Sequence, residues 1–143
     1  MIEKSIIWIF LAAGSVWDIR KKSIPVQYLW VFGITGLICL LIRFINGMRG
    51  FDFVLAFLPG IFFLILAYIS GEQIGMGDGL VILCTGFFLR YGEIVYVTFV
   101  SFLCLTLVSM VLYAVGRANR KTKIPFLPFW LMGFTIYVLG EII

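Results

Sequence analysis

The chain has 143 residues, of which 63% are hydrophobic and 13% charged, and a mean hydropathy of +1.15. A soluble domain carries roughly 25% charged residues, so this composition argues against a water-soluble helical protein and for a polytopic membrane protein. Eleven Lys and Arg against seven Asp and Glu give a net charge of +4, and because the basic residues stand in short loops between apolar runs they read as orientation signals rather than as a nucleic-acid surface.

Hydropathy predicts six transmembrane helices. The first covers Ile2 to Trp17. Its Ala12-Ala13-Gly14-Ser15 stretch also fits a cleaved signal peptide, but its leading segment holds one Lys and one Glu and five further apolar runs follow. The second covers Val26 to Ile45, 20 residues, or about 30 Å of helix, enough to cross the hydrocarbon core. The third covers Phe53 to Ser70. The fourth, Gly79 to Leu89, is short, and Arg90, Gly92 and Glu93 interrupt the pattern before the fifth, Ile94 to Val115. The sixth starts at Phe126 and runs to the C-terminus. Arg20, Lys21 and Lys22, with Arg117, Arg120, Lys121 and Lys123, then lie on one side, and Lys4, Arg43, Arg49 and Arg90 on the other. The positive-inside rule puts the first set in the cytoplasm and both termini outside. No linker or repeat divides the chain, so residues 1–143 are expected to form a single all-α membrane domain.

The chain contains no histidine, which excludes Ser-His-Asp and Cys-His nucleophilic sites and any His-ligated metal. Cys39, Cys84 and Cys104 are isolated in apolar runs and form no CxxC pair, so they read as small buried hydrophobes. No cofactor and no metal are expected.

The acids sort by topology. Glu3, Asp52, Glu93 and Glu141 fall outside, and Asp18, Glu72 and Asp78 fall on the cytoplasmic side. Asp18 directly follows the first apolar run and Asp78 directly precedes the fourth, at similar depth. That fourth run is only about 17 Å long as a helix, so it is expected to recruit Met76-Gly77-Asp78 at one end and Arg90-Tyr91 at the other, drawing Asp78 to the membrane edge. An acid there is a functional-site candidate. Two carboxylates facing one another suggest hydrolysis, one taking a proton from water while the other donates to the scissile carbonyl. Gly75 and Gly77 leave room for a close backbone approach. The plainer readings are an Asp capping a helix and an Asp solvated at the end of a span. Glu72 reads either as a solvated loop acid or as an attractor of a basic peptide. Arg20 can pair with Asp18 or meet lipid phosphate. Pro25 fits helix initiation, and Pro125 with Pro128 suggests a broken helix entry lining the site. Gly33, Thr35, Gly36, Thr98, Ser101, Thr106 and Ser109 read as helix-packing residues. A small transporter that binds a cation or proton through these acids is the rival from another class, although none of the acids sits mid-span. A non-catalytic relative keeping the fold is a third.

Three stretches carry a family resemblance: DIRKKSIP (18–25), EQIGMGD (72–78) and KIPFLPF (123–129). Their order and placement resemble the type IV prepilin peptidases, membrane aspartic proteases of the GxGD kind. The resemblance implies that Asp18 and Asp78 are the catalytic pair. It also implies that the substrate is a prepilin or prepilin-like protein whose short basic leader is removed at the cytoplasmic face of the cell membrane. Glu72, Gly75, Gly77, Arg20 and Pro125 are then supporting positions. Leu80 stands where the family often has lysine, and Val26 where Asn commonly follows Ile-Pro. Longer members carry a CxxC segment and methylate the new N-terminus; lacking that segment, this chain is expected to cleave without methylation.

Overall fold

The structure, a computed structural model, describes residues 2–21, 24–47, 50–70, 75–116 and 124–142. Among the described residues it is all-helical, with no strand. Helix α1 spans Ile2–Lys21, α2 Val26–Ile45, α3 Gly50–Ala56, α4 Leu58–Ile69, α5 Met76–Thr85, α6 Tyr91–Ala114 and α7 Leu127–Ile142. Three stretches are long and apolar enough to cross a membrane: Val26–Ile45, Gly50–Ile69 and Tyr91–Ala114.

Local chemistry sets the boundaries. α1 carries Glu3 in its first turn and Arg20 and Lys21 in its last, the arrangement the helix dipole favours. α2 starts behind Pro25, whose carbonyl accepts the Tyr28 N–H at 3.0 Å. It ends at Asn46 before Gly47, whose φ of 86° favours glycine. The third predicted span is one rod broken at Phe57, because Pro59 has no N–H to continue the ladder. The Arg90 N–H donates to the Glu93 carboxylate at 2.9 Å and opens α6.

The fourth span differs from its expected extent. Met76-Gly77-Asp78 is recruited into α5 as anticipated, but the helix stops at Thr85 and does not reach Arg90. Gly86 to Phe88 form turns and Leu89 a bend, and Arg90 caps the next helix. Gly86 lies so close to the preceding segment that a Cβ would sit 2.9 Å from the Ala56 carbonyl oxygen. Phe88 and Leu89 are buried, and the Arg43 guanidinium donates to the Phe88 carbonyl. Non-helical backbone at membrane depth is tolerated where protein covers it and satisfies its polar groups, as happens here.

α5 packs on α4 and α2, and α7 on α1 and α6. Ile7, Leu11, Phe32, Ile82, Trp130 and Phe134 form the centre of the core, each fully buried. The outer face is equally apolar: Val31, Ile34, Ile38 and Ile42 of α2 are all exposed. An apolar exterior around an apolar core is what a bilayer, not water, accommodates.

Candidate active site

Asp18 and Asp78 come together at one end of the bundle. Asp18 lies in the last turns of α1 and is 5% exposed. Asp78 lies in the first turn of α5, half-buried. Both fall just outside the apolar runs that continue from them into the bundle. The charge on Asp18 is felt at Asp78 and, after burial, is the second cause that raises the Asp78 pKa, to about 7.

The start of α7 supplies the third part of the site. Its first residue, Leu127, donates its backbone N–H to the Asp18 carboxylate (Oδ2) at 3.1 Å, and the Phe126 N–H also acts on this carboxylate. Burial raises the Asp18 pKa, and these two main-chain donors oppose the rise. The carboxylate thus takes up N–H groups that a helix N-terminus would otherwise leave without partners. Pro125 and Pro128 bracket the two donors, and neither proline has an N–H of its own. Around these prolines residues 124–125 are non-helical and α7 starts at Leu127. The role of this entry at the site runs through the residues between the prolines.

The expected glycines flank Asp78. At Gly75 a Cβ would lie 3.0 Å from the Asp78 Oδ2 atom, so the carboxyl folds back over this position. At Gly77 a Cβ would lie 3.2 Å from the Ile24 side chain. The described parts of the three stretches therefore meet: Ile24 lies on Gly77, and Leu127 reaches Asp18.

Other expectations fare differently. Arg20 is exposed, and the hydrogen-bond partner of Asp18 is Leu127 rather than Arg20. Glu72 lies outside the described residues, as does the basic stretch from Arg117 to Lys123. Leu80 is exposed on α5. Gly36 is a packing residue as expected, with Phe87 Cβ 2.8 Å from where its own Cβ would stand. The hydroxyls of Thr35, Thr98, Ser101, Thr106 and Ser109 donate to carbonyls of their own helices, four residues back. Among the described residues no group of His, Cys, Asp or Glu is arranged to hold a metal.

The reading of the sequence missed Leu127 and Phe126. Main-chain donors leave no residue-type signature, and the flanking prolines were the available sign. A cleft of about 790 Å³ opens at the opposite end, lined by Asp52, Arg90, Glu93, Tyr137 and Glu141 among others, and contains none of the expected site residues.

Residues 5–110 match the model of the type IV leader peptidase family. The chain belongs to that family. No curated protein and no solved structure matches it. The matched segment of this leader peptidase family member contains both Asp18 and Asp78, while α7 lies beyond it. Membership implies a peptidase, hence a hydrolase acting on a peptide substrate such as a prepilin.

Proposed function

We propose that the protein is a membrane-embedded aspartic endopeptidase that removes the short basic leader of type IV prepilins or prepilin-like proteins, with Asp18 and Asp78 as the catalytic pair. The observation that carries this reading is the approach of two buried or half-buried carboxylates close enough for the charge of one to act on the other. In a chain without histidine, such a pair is the available means of activating water and protonating a carbonyl. In this reading six spans cross the cell membrane, with both termini outside and the pair at the cytoplasmic edge. The substrate's apolar helix lies in the bilayer, and its leader meets the pair where the chain emerges into water. Gly75 and Gly77 give the scissile backbone room to approach, and Glu72 attracts the basic leader. The new N-terminus is left unmethylated.

The test is cleavage of a purified prepilin-like substrate by the protein reconstituted in lipid. Asp18→Asn and Asp78→Asn should each lower the rate at least about 100-fold, the lower end of what a positioned acid or base contributes. Cleavage surviving either substitution would remove the pair from the mechanism. The mass of the released mature chain reads both the cleavage position and the absence of a methyl group.

A further inference from the structure

Acid–base hydrolysis by two carboxyls needs them in different protonation states, and their surroundings here are unlike. Asp18 is almost fully buried, yet it accepts the Leu127 N–H at 3.1 Å and is acted on by the Phe126 N–H. Between Pro125 and Pro128 these are the only main-chain N–H groups, and the one that makes a hydrogen bond to Asp18 is that of Leu127. The Asp78 carboxyl has no hydrogen-bond donor among the described residues, and its own N–H donates to the Gly75 carbonyl at 3.0 Å. Asp78 stands at the N-terminal end of α5, and Asp18 stands against that of α7 while lying in the last turns of α1, so helix dipoles favour charge on Asp78 and act in opposite senses on Asp18. The difference lies in the direct donors: among the described residues Asp18 accepts the Leu127 N–H and the Asp78 carboxyl accepts none.

We propose that the entry to α7 divides the roles of the pair: the Leu127 N–H, with that of Phe126 beside it, holds Asp18 as the carboxylate that activates water, and the shared proton stays on Asp78, which donates to the scissile carbonyl. This rests on the peptidase reading above. Asp18 takes a proton from water as the water oxygen bonds to the carbonyl carbon, and Asp78 protonates the carbonyl oxygen. As the C–N bond breaks, the leaving amine takes the proton from Asp18, and Asp78 recovers its own from the hydroxyl. One water is consumed and the pair is restored. Leu127 and Phe126 are positioning residues, since they act through Asp18.

The surrounding charges agree with this division. Burial raises both acids. The backbone donors oppose that rise at Asp18, whereas the charge on Asp18 adds to it at Asp78, pushing Asp78 to about 7. The described part of α7 brings no charged side chain to this end, its acid being Glu141 at the far end. On α1, Arg20 is exposed and the Lys21 ammonium lies over the Trp17 ring, 4.8 Å from its centroid. On α2, the Tyr28 hydroxyl donates to the Phe10 carbonyl.

The test replaces the Leu127 amide by an ester, through incorporation of the matching α-hydroxy acid. This removes one N–H and keeps the buried side chain. An ester at Phe129, whose N–H donates to the Phe126 carbonyl at 3.0 Å, is the control for disturbing the same turn. The Leu127 ester should move the acid limb of the pH–rate profile upward by about one pH unit, the size expected for losing a hydrogen bond to a charged group. The Phe129 ester should leave that limb in place. Equal limbs in the two esters would overturn the proposal. A second measurement is independent of cleavage: ¹³C-aspartate titration in the lipid-reconstituted protein. The acid remaining in Asp18→Asn should titrate above the one remaining in Asp78→Asn, and the reverse order would overturn the assignment. If the wild-type protein cleaves no prepilin-like substrate, the peptidase reading fails while the titration still decides where the proton sits.

Discussion

At the residue scale, the two acids could be read from sequence because each marks the end of an apolar run, and lipid makes a charge at such a place costly. The geometry adds a distinction between the two neighbouring glycines. A methyl group at Gly75 would meet the Asp78 carboxyl, whereas one at Gly77 would meet the flexible tip of Ile24. Gly75→Ala is therefore expected to move the carboxyl and lower kcat/KM about tenfold, equivalent to about 1.4 kcal/mol of transition-state stabilisation, with little change in thermal stability. Gly77→Ala should have a smaller effect. Equal losses from the two would show that the carboxyl is not constrained at Gly75. A pH dependence follows from the same site. In the proposed mechanism the pair works with one proton, so activity is lost when a second proton binds and again when the last one leaves. Burial and the charge on Asp18 raise Asp78 to about 7, so the protonated acid survives well above the ordinary carboxylate range near 4. The alkaline limb of kcat/KM should fall near 7, and a limb near 4 would mean that the pair is not assembled in the active protein.

At the element scale, hydropathy placed an apolar run on the described helices, reading α3 and α4 as one, but the ends depended on contacts that it does not encode. α5 ends at Thr85 because Gly86 nestles against the end of α3 and the following Phe88 and Leu89 are buried in a turn and a bend. An apolar run long enough for three helical turns reads the same whether its last residues are helical or packed in a buried turn. The break at Phe57 could be anticipated from Pro59, whereas the bond from Leu127 to Asp18 joins residues 109 apart in sequence and left only the two prolines as a sign. Close packing at this scale can be tested through glycines. At Gly60 a Cβ would lie 2.5 Å from the Leu83 Cα atom, so Gly60→Ala must push α4 from α5, the helix that carries Asp78. Overpacking of this kind costs about 1–3 kcal/mol. At Gly140 a Cβ meets nothing within 4 Å, and Gly140→Ala gains up to about 1 kcal/mol of helix propensity. Thermal unfolding in detergent should show Gly60→Ala lowered and Gly140→Ala unchanged or raised. Similar midpoints would contradict tight α4–α5 packing.

At the scale of the whole molecule, charge is distributed unevenly between the two ends. At the end away from the acid pair, Lys4 pairs with Glu141 and joins α1 to α7, while Arg43 of α2 stands 3.9 Å from Glu3 and also donates to the Phe88 carbonyl. Lys4 and Arg43 there are partnered with acids and a carbonyl of the protein itself, whereas Arg90 is exposed. At the other end, Arg20 and Lys21 are exposed beside the buried Asp18. Exposed cations next to apolar helix ends are the kind that resist translocation, and in the proposed reading they put the end that holds Asp18 and Asp78 in the cytoplasm. The orientation can be tested with Cys39, Cys84 and Cys104 replaced by alanine and single cysteines added at exposed helix ends. In intact cells a membrane-impermeant maleimide should label Asn46→Cys and Asp52→Cys, whereas Lys21→Cys and Val115→Cys should react only after the membrane is opened. The reverse pattern would place the acid pair outside. The acid–base chemistry could then stand, but a leader held in the cytoplasm would be out of its reach, so the location of the substrate depends on this measurement and the reaction type does not.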